Sequence, residues 1–375
     1  MFAFSRNNRS IISKWWWTVD KPLLVMIALI IAIGMILTFS ASPATAARIN
    51  LDSFHFIKRQ FVFLPLACGV MLLLSMQNLK TVRRVAVLGY FLAIILVAAT
   101  HFWGMEIKGA HRWLSIGGFA LQPSEFLKPT FIVVAAWLFD GQKRYSDFPG
   151  NWLSTALFLF TIGLVISQPD FGMSFVLAAI WFFQFFLAGL PMWLVCGLGL
   201  IFVLGIGAAY MIFPHIQSRI QQFFASENNL SYQVQKSIAA FENGGFFGAG
   251  PGEGVVKMQI PDAHTDFIFA VAAEEYGMIL CLAIVTIYAG IVIRSLLISL
   301  KDNNLFIVLS ASGLAASFGL QSIINMASTM HLAPTKGMTL PFISYGGSSL
   351  LSVAIGMGML LAITRKNVHA EDQDE

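Results

Sequence analysis

Leu23-Leu24-Val25-Met26-Ile27-Ala28-Leu29-Ile30-Ile31-Ala32-Ile33-Gly34-Met35-Ile36-Leu37-Thr38-Phe39-Ser40-Ala41 runs without a single charged side chain. A helix of about 20 apolar residues crosses the hydrocarbon core of a bilayer, whereas the apolar centre of a cleavable signal spans only about 7–15 residues. The run therefore reads as a spanning helix and an anchor. Ala44-Thr45-Ala46 looks like a small-residue cleavage site, and reads here as a loop after the anchor. Further runs of the same kind follow, and spans are predicted at 22–41, 60–76, 85–103, 124–139, 153–167, 172–189, 191–213, 266–293, 304–328 and 346–364. The fold class expected is an all-α polytopic membrane protein of about ten transmembrane helices, one integral membrane domain over residues 1–375.

Composition agrees. The chain is 57% hydrophobic and 11% charged, with a mean hydropathy of +0.75. A soluble domain carries roughly 25% charged residues, so too few charges are present to coat a water-facing surface. The net charge of +4 and pI of about 9.0 have an ordinary source in a membrane protein, the retention of Lys and Arg on the cytoplasmic side; no nucleic-acid partner is implied. Cys68, Cys196 and Cys281 each lie inside an apolar run and read as packing residues rather than a disulfide, redox or metal set.

Basic residues are densest in the tails and in the short segments assigned to the same side, such as Lys80, Arg83 and Arg84. That places both tails, 1–21 and 365–375, in the cytoplasm. Trp15-Trp16-Trp17 in the first tail reads as an interfacial anchor, and the acidic end, Glu371 to Glu375, as disordered. On the outer side stand Arg48, Lys58, Arg59, Lys108, Arg112, Lys128, Arg219, Lys236, Lys257 and Lys336. Two readings fit them: side chains snorkelling to the headgroups or pairing with acids, or a site for an anionic substrate.

Residues 214–265, between spans seven and eight, form a large extracytoplasmic loop, and loops this long are usually functional or disordered. A short helix is expected from Ser231 to Phe241. The glycine-rich stretch Asn243 to Gly254 lacks the Lys-Ser/Thr pair of a P-loop. Its glycines suit positive φ or close backbone approach, and its amides offer donors to a pyrophosphate. Ile260-Pro261-Asp262-Ala263-His264-Thr265-Asp266-Phe267 then runs into a span, with Thr265 or Asp266 expected as N-cap. Asp266, Ala270 and Glu274 would share a helical face, with Glu274 about 12 Å deeper. A charge at that depth costs at least about 2.5 kcal/mol, so Glu274 and Glu275 need partners, for which Lys336 is a candidate.

Four segments resemble the SEDS proteins (shape, elongation, division and sporulation). They are Lys108 to Leu114 leading into Gln122-Pro123-Ser124-Glu125-Phe126; Gln168-Pro169-Asp170-Phe171-Gly172; Pro261 to Phe269 with Glu274-Glu275-Tyr276-Gly277; and Pro334-Thr335-Lys336-Gly337 through Leu340-Pro341-Phe342-Ile343-Ser344-Tyr345-Gly346-Gly347-Ser348-Ser349. The likeness covers nearly the whole chain in order. Lys336 in its motif resembles the division branch of the family, the elongation branch being the alternative. Asp262 stands where the family usually has glutamate, Tyr276 where it has leucine, and Met258-Gln259 where many division members have an acid.

The resemblance implies a GT-C-related fold in the inner membrane at the division septum, and a peptidoglycan glycosyltransferase that polymerises lipid II. The donor would be a glycan on undecaprenyl pyrophosphate, the acceptor a sugar 4-hydroxyl, and the reaction would invert the anomeric centre. By that resemblance Asp266 is the catalytic base. Arg112, Lys128, Arg219 and Lys336 are the cations for the leaving pyrophosphate. His264, Glu274, Glu275, Gln233 and Ser344 complete the substrate-binding candidates. No cofactor is required, although a divalent cation, Mg or Mn, suits the pyrophosphate. The partners implied are a class B penicillin-binding protein for crosslinking, other divisome membrane proteins and the lipid bilayer. A lipid II flippase and a non-catalytic divisome scaffold are the rival readings.

Overall fold

The computed structural model describes residues 10–107, 110–189, 230–334 and 337–366, with isolated positions between 197 and 223. The expected span 191–213 and the start of the long loop thus lie largely outside the described residues.

Residues 11–48 form two helices. The first, α1 (Ile11–Thr18), is short and capped by the Ser10 side chain, and the second, α2 (Lys21–Arg48), is capped by Asp20. The expected loop at Ala44-Thr45-Ala46 is instead the last turn of α2, because small residues pack there without breaking the helix. Then come α3 (His55–Ser75), α4 (Leu79–Trp103), α5 (Pro123–Arg144), α6 (Gly150–Ser167) and α7 (Phe171–Leu187). The expected loop helix is α8 (Tyr232–Gly244), followed by α9 (Ile268–Ser299), α10 (Leu305–Thr329) and α11 (Gly347–Ile363).

Six of these, α2, α3, α4, α6, α9 and α10, are long and apolar enough to cross a membrane; α7 and α11 are shorter apolar helices. The chain is a multi-pass membrane protein. Its most enclosed helices are α5, α10 and α11. Every residue of α5 from Leu127 to Ala136 is buried, whereas α3, α4 and α6 turn most of their length outward, as helices in contact with lipid do. The stacked Phe158 and Trp181 rings, 4.3 Å apart, join α6 to α7.

The fold is mostly helical, as expected, with one small addition: β1 (Met105–Ile107), β2 (Ala110–Ile116) and β3 (Phe119–Leu121) form an antiparallel sheet between α4 and α5. Alternating residues such as His111, Trp113 and Ser115 carry this two-residue period, and Gly117-Gly118, both with positive φ, make the turn. The helix expected to start at Asp266 starts at Ile268, with Phe267 at the N-cap and no side-chain cap. Asp266 lies in the preceding turn, where the carbonyl of Asp262 accepts from the amides of Thr265 and Phe267. It therefore does not share a regular helical face with Glu274. Finally, α9 runs to Ser299 and is broken at Gly277 (φ 71, ψ −170).

That break is repaired by the glycine-rich stretch. The amides of Ala249 and Gly250 donate to the carbonyls of Glu274 and Glu275 at 2.8 and 3.0 Å, and Met278 donates to Gly245 at 3.0 Å. Backbone groups freed inside a membrane helix must find partners, and here the loop supplies them. Only glycine fits the seam: a Cβ on Gly248 would lie 2.2 Å from the Glu275 carbonyl oxygen, and one on Gly277 2.5 Å from the Gly248 nitrogen. The segment before α11 dips into the bundle instead of staying outside it. Phe342 and Ile343 are buried and pass against Gly34 of α2, and the Tyr288 hydroxyl donates to the Pro341 carbonyl at 2.5 Å.

Candidate active site

The N-terminal ends of α3, α5, α7 and α11, the sheet, and the turn before α9 meet around a cavity of about 430 Å³. It lies at the face opposite the one where the Lys366 amide donates to the Thr18 carbonyl. Helix N-termini favour negative charge, and Glu125, Asp170, Asp262 and Asp266 all line this cavity. The cations lining it among the described residues are Arg59 and Arg112.

Each charged group is held differently. Asp170 caps α7, its Oδ1 accepting from the Met173 amide at 3.1 Å. Arg112, on β2, donates from Nε to the Gln168 carbonyl at 2.8 Å and from Nη2 to the Pro169 carbonyl, and Nη1 lies 3.8 Å from Asp170 Oδ2. It ties the sheet to the α6–α7 hairpin. Arg59 shares one face of the first turns of α3 with Phe56 and Phe63. It lies over the Phe119 ring at 5.9 Å and hydrogen-bonds the Tyr345 hydroxyl. Burial pushes the Tyr345 hydroxyl up, and Arg59 pulls against it, so this phenol stays a neutral donor and acceptor at neutral pH.

Asp266 is positioned through its backbone. Asn325 of α10 donates from Nδ2 to the Asp266 carbonyl at 2.9 Å and to the Met338 carbonyl at 2.6 Å. Ser344 Oγ donates to the Thr265 carbonyl at 2.5 Å and accepts from the Leu340 amide at 2.8 Å, and Tyr345 donates its amide to the His264 carbonyl at 2.9 Å. The dipping segment and the Asp266 turn are thus one unit. A Cβ on Gly337 would lie 3.3 Å from Asp266 Oδ2, so this segment passes right beside the carboxylate.

The other sequence-predicted residues divide. Ser344 is buried and clamps the turn rather than lining the cavity. His264 is 6% exposed, its ring 4.3 Å from Phe56 and 5.3 Å from Tyr345. Burial pushes its imidazole down to about 4, so it packs as a neutral ring. Lys128 is 2% exposed and enclosed below the cavity, with Glu125 Oε2 and Gln321 Oε1 each 2.7 Å away. Gln321 donates on to the Thr339 carbonyl at 2.9 Å, and the Thr339 and Ser349 hydroxyls are 2.5 Å apart. Gln233 is half-buried on α8, away from the cavity lining. Arg219 and Lys336 lie outside the described residues.

Glu274 and Glu275 both have the partners that their burial requires. Glu274 accepts from Asn243 Nδ2 at 3.0 Å and from the Val256 and Lys257 amides at 2.7 Å each. Glu275 pairs with Lys257, whose ammonium also donates to Ser40 Oγ and the Gly252 carbonyl at 3.2 Å. The cation described beside Glu275 is Lys257 of the long loop, because the loop folds back over the break in α9; the expected candidate, Lys336, lies outside the described residues. Both glutamates hold that loop down and neither lines the cavity.

Sequence reasoning passed over Glu125, Asp170 and Asp262 as cavity residues, although each sits in a motif at the mouth of an apolar run. Arg59 reads from the sequence only as one of the outer basic residues, for which a site for an anionic substrate is one of two readings. Among the described residues, no group of three or more His, Cys, Asp and Glu could hold a metal ion.

Comparison with known proteins agrees with this layout. A family of cell cycle proteins named for FtsW, RodA and SpoVE matches residues 21–369. A relative in Caulobacter vibrioides (strain NA1000 / CB15N), named probable peptidoglycan glycosyltransferase FtsW, is 41% identical over 365 residues, which are 97% of this chain and 94% of the relative. One of the same name in Trichlorobacter lovleyi is 36% identical over 361 residues, 92% of this chain and 93% of its own. A solved structure described as the structural coordination of polymerization and crosslinking by a peptidoglycan synthase complex is similar at a TM-score of 0.76 and 27% identity, over 93% of this chain and 98% of its own. The rod shape determining protein RodA of Thermus thermophilus is similar at 0.66 and 26%, over 93% and 97%. The chain belongs to the FtsW/RodA/SpoVE family of cell cycle proteins.

Proposed function

We propose that this peptidoglycan glycosyltransferase polymerises lipid II into glycan strands at the outer face of the cytoplasmic membrane, for the septal wall built in cell division. The observation that carries the reading is the cavity in which the Asp266 carboxylate and two arginines share one lining. The family name of the relatives supports division over elongation. Ten spans, both ends in the cytoplasm and the cavity outside complete the placement, in keeping with the Lys and Arg distribution.

In this reading Asp266 takes the proton of the acceptor 4-hydroxyl as its oxygen bonds to the donor's anomeric carbon. The bond to undecaprenyl pyrophosphate breaks on the opposite side, and the configuration inverts. A carboxylate is a weak base for an alcohol, so stabilising the departing pyrophosphate matters most. Arg59 is the described cation best placed for that work, because Arg112 is engaged by the α6–α7 hairpin. Lys336, next in sequence to the Gly337 that approaches Asp266, joins it, with Arg219 further off in sequence. A magnesium or manganese ion would arrive as counter-ion of the pyrophosphate. Lys128, Glu274, Glu275, His264 and Ser344 act by holding the walls of the site. Crosslinking falls to a class B penicillin-binding protein, and the synthase-complex neighbour supports such a pairing.

A flippase reading draws on Lys128 and Gln321, buried polar groups below the cavity that join Glu125 to Thr339 of its lining. One experiment separates the two. The chain is purified with its class B penicillin-binding protein and given lipid II, with penicillin to stop crosslinking and moenomycin to silence contaminating polymerases. Glycan polymer on a gel from the wild type, lost in Asp266→Ala, is the expected result. No polymer from the intact, folded complex would reject the polymerase, and full activity in Asp266→Ala would remove Asp266 from the chemistry.

A further inference from the structure

The face that carries the Lys366–Thr18 hydrogen bond holds a second opening, remote from the glycosyl-transfer cavity. It is a groove of about 630 Å³ between α2 and α9, lined by Met26, Gly290, Ile293, Arg294, Leu297 and Lys301 among others. Gly290, Arg294, Leu297 and Lys301 recur at steps of three and four residues, on one side of the helix and its end. Gly290 lets the flexible Met26 side chain of α2 pack closely on the floor of the groove, since a Cβ there would lie 2.9 Å from Met26 Sδ. Ile293 and Leu297 are 56% and 57% exposed, so the walls are apolar and open outward to lipid. Lys301 lies about 10 Å beyond Arg294 along the helix, toward the membrane surface.

The mouth is basic. Arg294 is fixed by Asp20, with Nε and Nη2 donating to its carboxylate at 2.6 and 2.8 Å. Around that neutral pair stand three exposed cations. Lys21 has its ammonium over the Trp16 and Trp17 rings at 5.2 and 4.8 Å. Lys366 acts electrostatically on Asp20, and Lys301 closes the groove. The neighbouring Asp302 accepts from the Asn304 amide at 2.8 Å, within its own turn. Asp302 offsets one of the three lysines and leaves the mouth net positive; apolar walls below and net positive charge above are the two halves of one ligand chemistry.

We propose that this groove binds an anionic glycerophospholipid of the surrounding leaflet, with an acyl chain along Gly290 and Met26 and the phosphate drawn to Lys301 and the flanking lysines. Charge complementarity selects the occupant: a zwitterionic lipid gains nothing net from the excess cations, whereas each basic residue near the surface adds attraction for an anionic one. The site is independent of the glycosyl-transfer reading, because it lies at the opposite face.

The full-length protein, exchanged into mixed micelles with phosphatidylglycerol or with phosphatidylcholine, would be examined by native mass spectrometry for retained lipid. Wild type should retain phosphatidylglycerol in preference. Lys301→Glu should lower that retention about fivefold or more, and Gly290→Phe should fill the groove and abolish it. Lys58→Glu, at the opposite face, should leave it unchanged. Equal retention of the two lipids by wild type overturns the site, and so does undiminished phosphatidylglycerol in Lys301→Glu. Should Gly290→Phe fail to fold, Lys301→Glu decides alone, since Lys301 is an exposed residue just past the end of α9.

Discussion

Asp266 and the pair Glu274-Glu275 are less than three helical turns apart in sequence, yet they occupy opposite kinds of surroundings. Asp266 is half-buried, lines a 430 Å³ cavity and is steered through its backbone. The glutamates are 0% and 1% exposed and surrounded by amides, an amide side chain and one lysine. A buried carboxylate tied down by fixed donors is a building element; one that lines a cavity is within reach of a substrate. Acidity near an outer helix end does not by itself distinguish chemistry from construction. What surrounds the oxygens does.

The sharpest way to break this contrast is to alter Asp266. Asp266→Asn keeps shape and removes the base, so polymerisation should fall by about 10²–10⁴-fold, with the detergent melting temperature held near wild type. The glutamate side should respond in the reverse order. Lys257→Met leaves Glu275 as a buried charge without its cation, which typically costs about 3–5 kcal/mol. A melting temperature lowered by many degrees is expected, with any activity loss tracking the unfolded fraction; a stable but inactive Lys257→Met would erase the distinction.

Arg59 tests the cavity from the other wall. Arg59→Ala should slow polymerisation by about 10- to 100-fold without loss of fold, less than an oxyanion-hole deletion because other cations share the leaving group. Arg59→Lys should recover part of it. The smallest effect belongs to His264. Its folded value of about 4 lies below the ordinary 6.5, so between these values the unfolded chain binds a proton that the folded chain does not. Stability from this residue is complete above pH 6.5 and declines as pH falls toward 4. His264→Phe should flatten that part of the melting-temperature profile and leave activity at pH 7 within a few-fold of wild type.

Much of the fold could be read from the runs of apolar residues, because hydrocarbon accepts few other patterns. The predicted spans 60–76, 153–167, 304–328 and 346–364 lie within a few residues of α3, α6, α10 and α11. The sheet at 105–121 escaped because its strands are short and lie between two helices with no long alternation. The N-cap at Thr265 or Asp266 failed because Asp262 starts the turn, in a left-handed conformation (φ 56) that aspartate tolerates. Asp266 was legible as a site residue through its motif. The Lys257–Glu275 pair was not, since nothing in a linear sequence says that a loop folds back over a broken helix.

That broken helix links two positions that selection would otherwise treat separately. Gly248 and Gly277 stand on the two sides of one seam: the Glu275 and Tyr276 backbone fills the space a Cβ on Gly248 would need, and the Phe246 and Gly248 backbone the space at Gly277. A substitution at either position pushes the two sides apart and relieves part of the crowding at the other. Their effects on stability therefore fall short of adding. The 245–250 stretch is thus coupled to α9 in its response to substitution as well as by its hydrogen bonds.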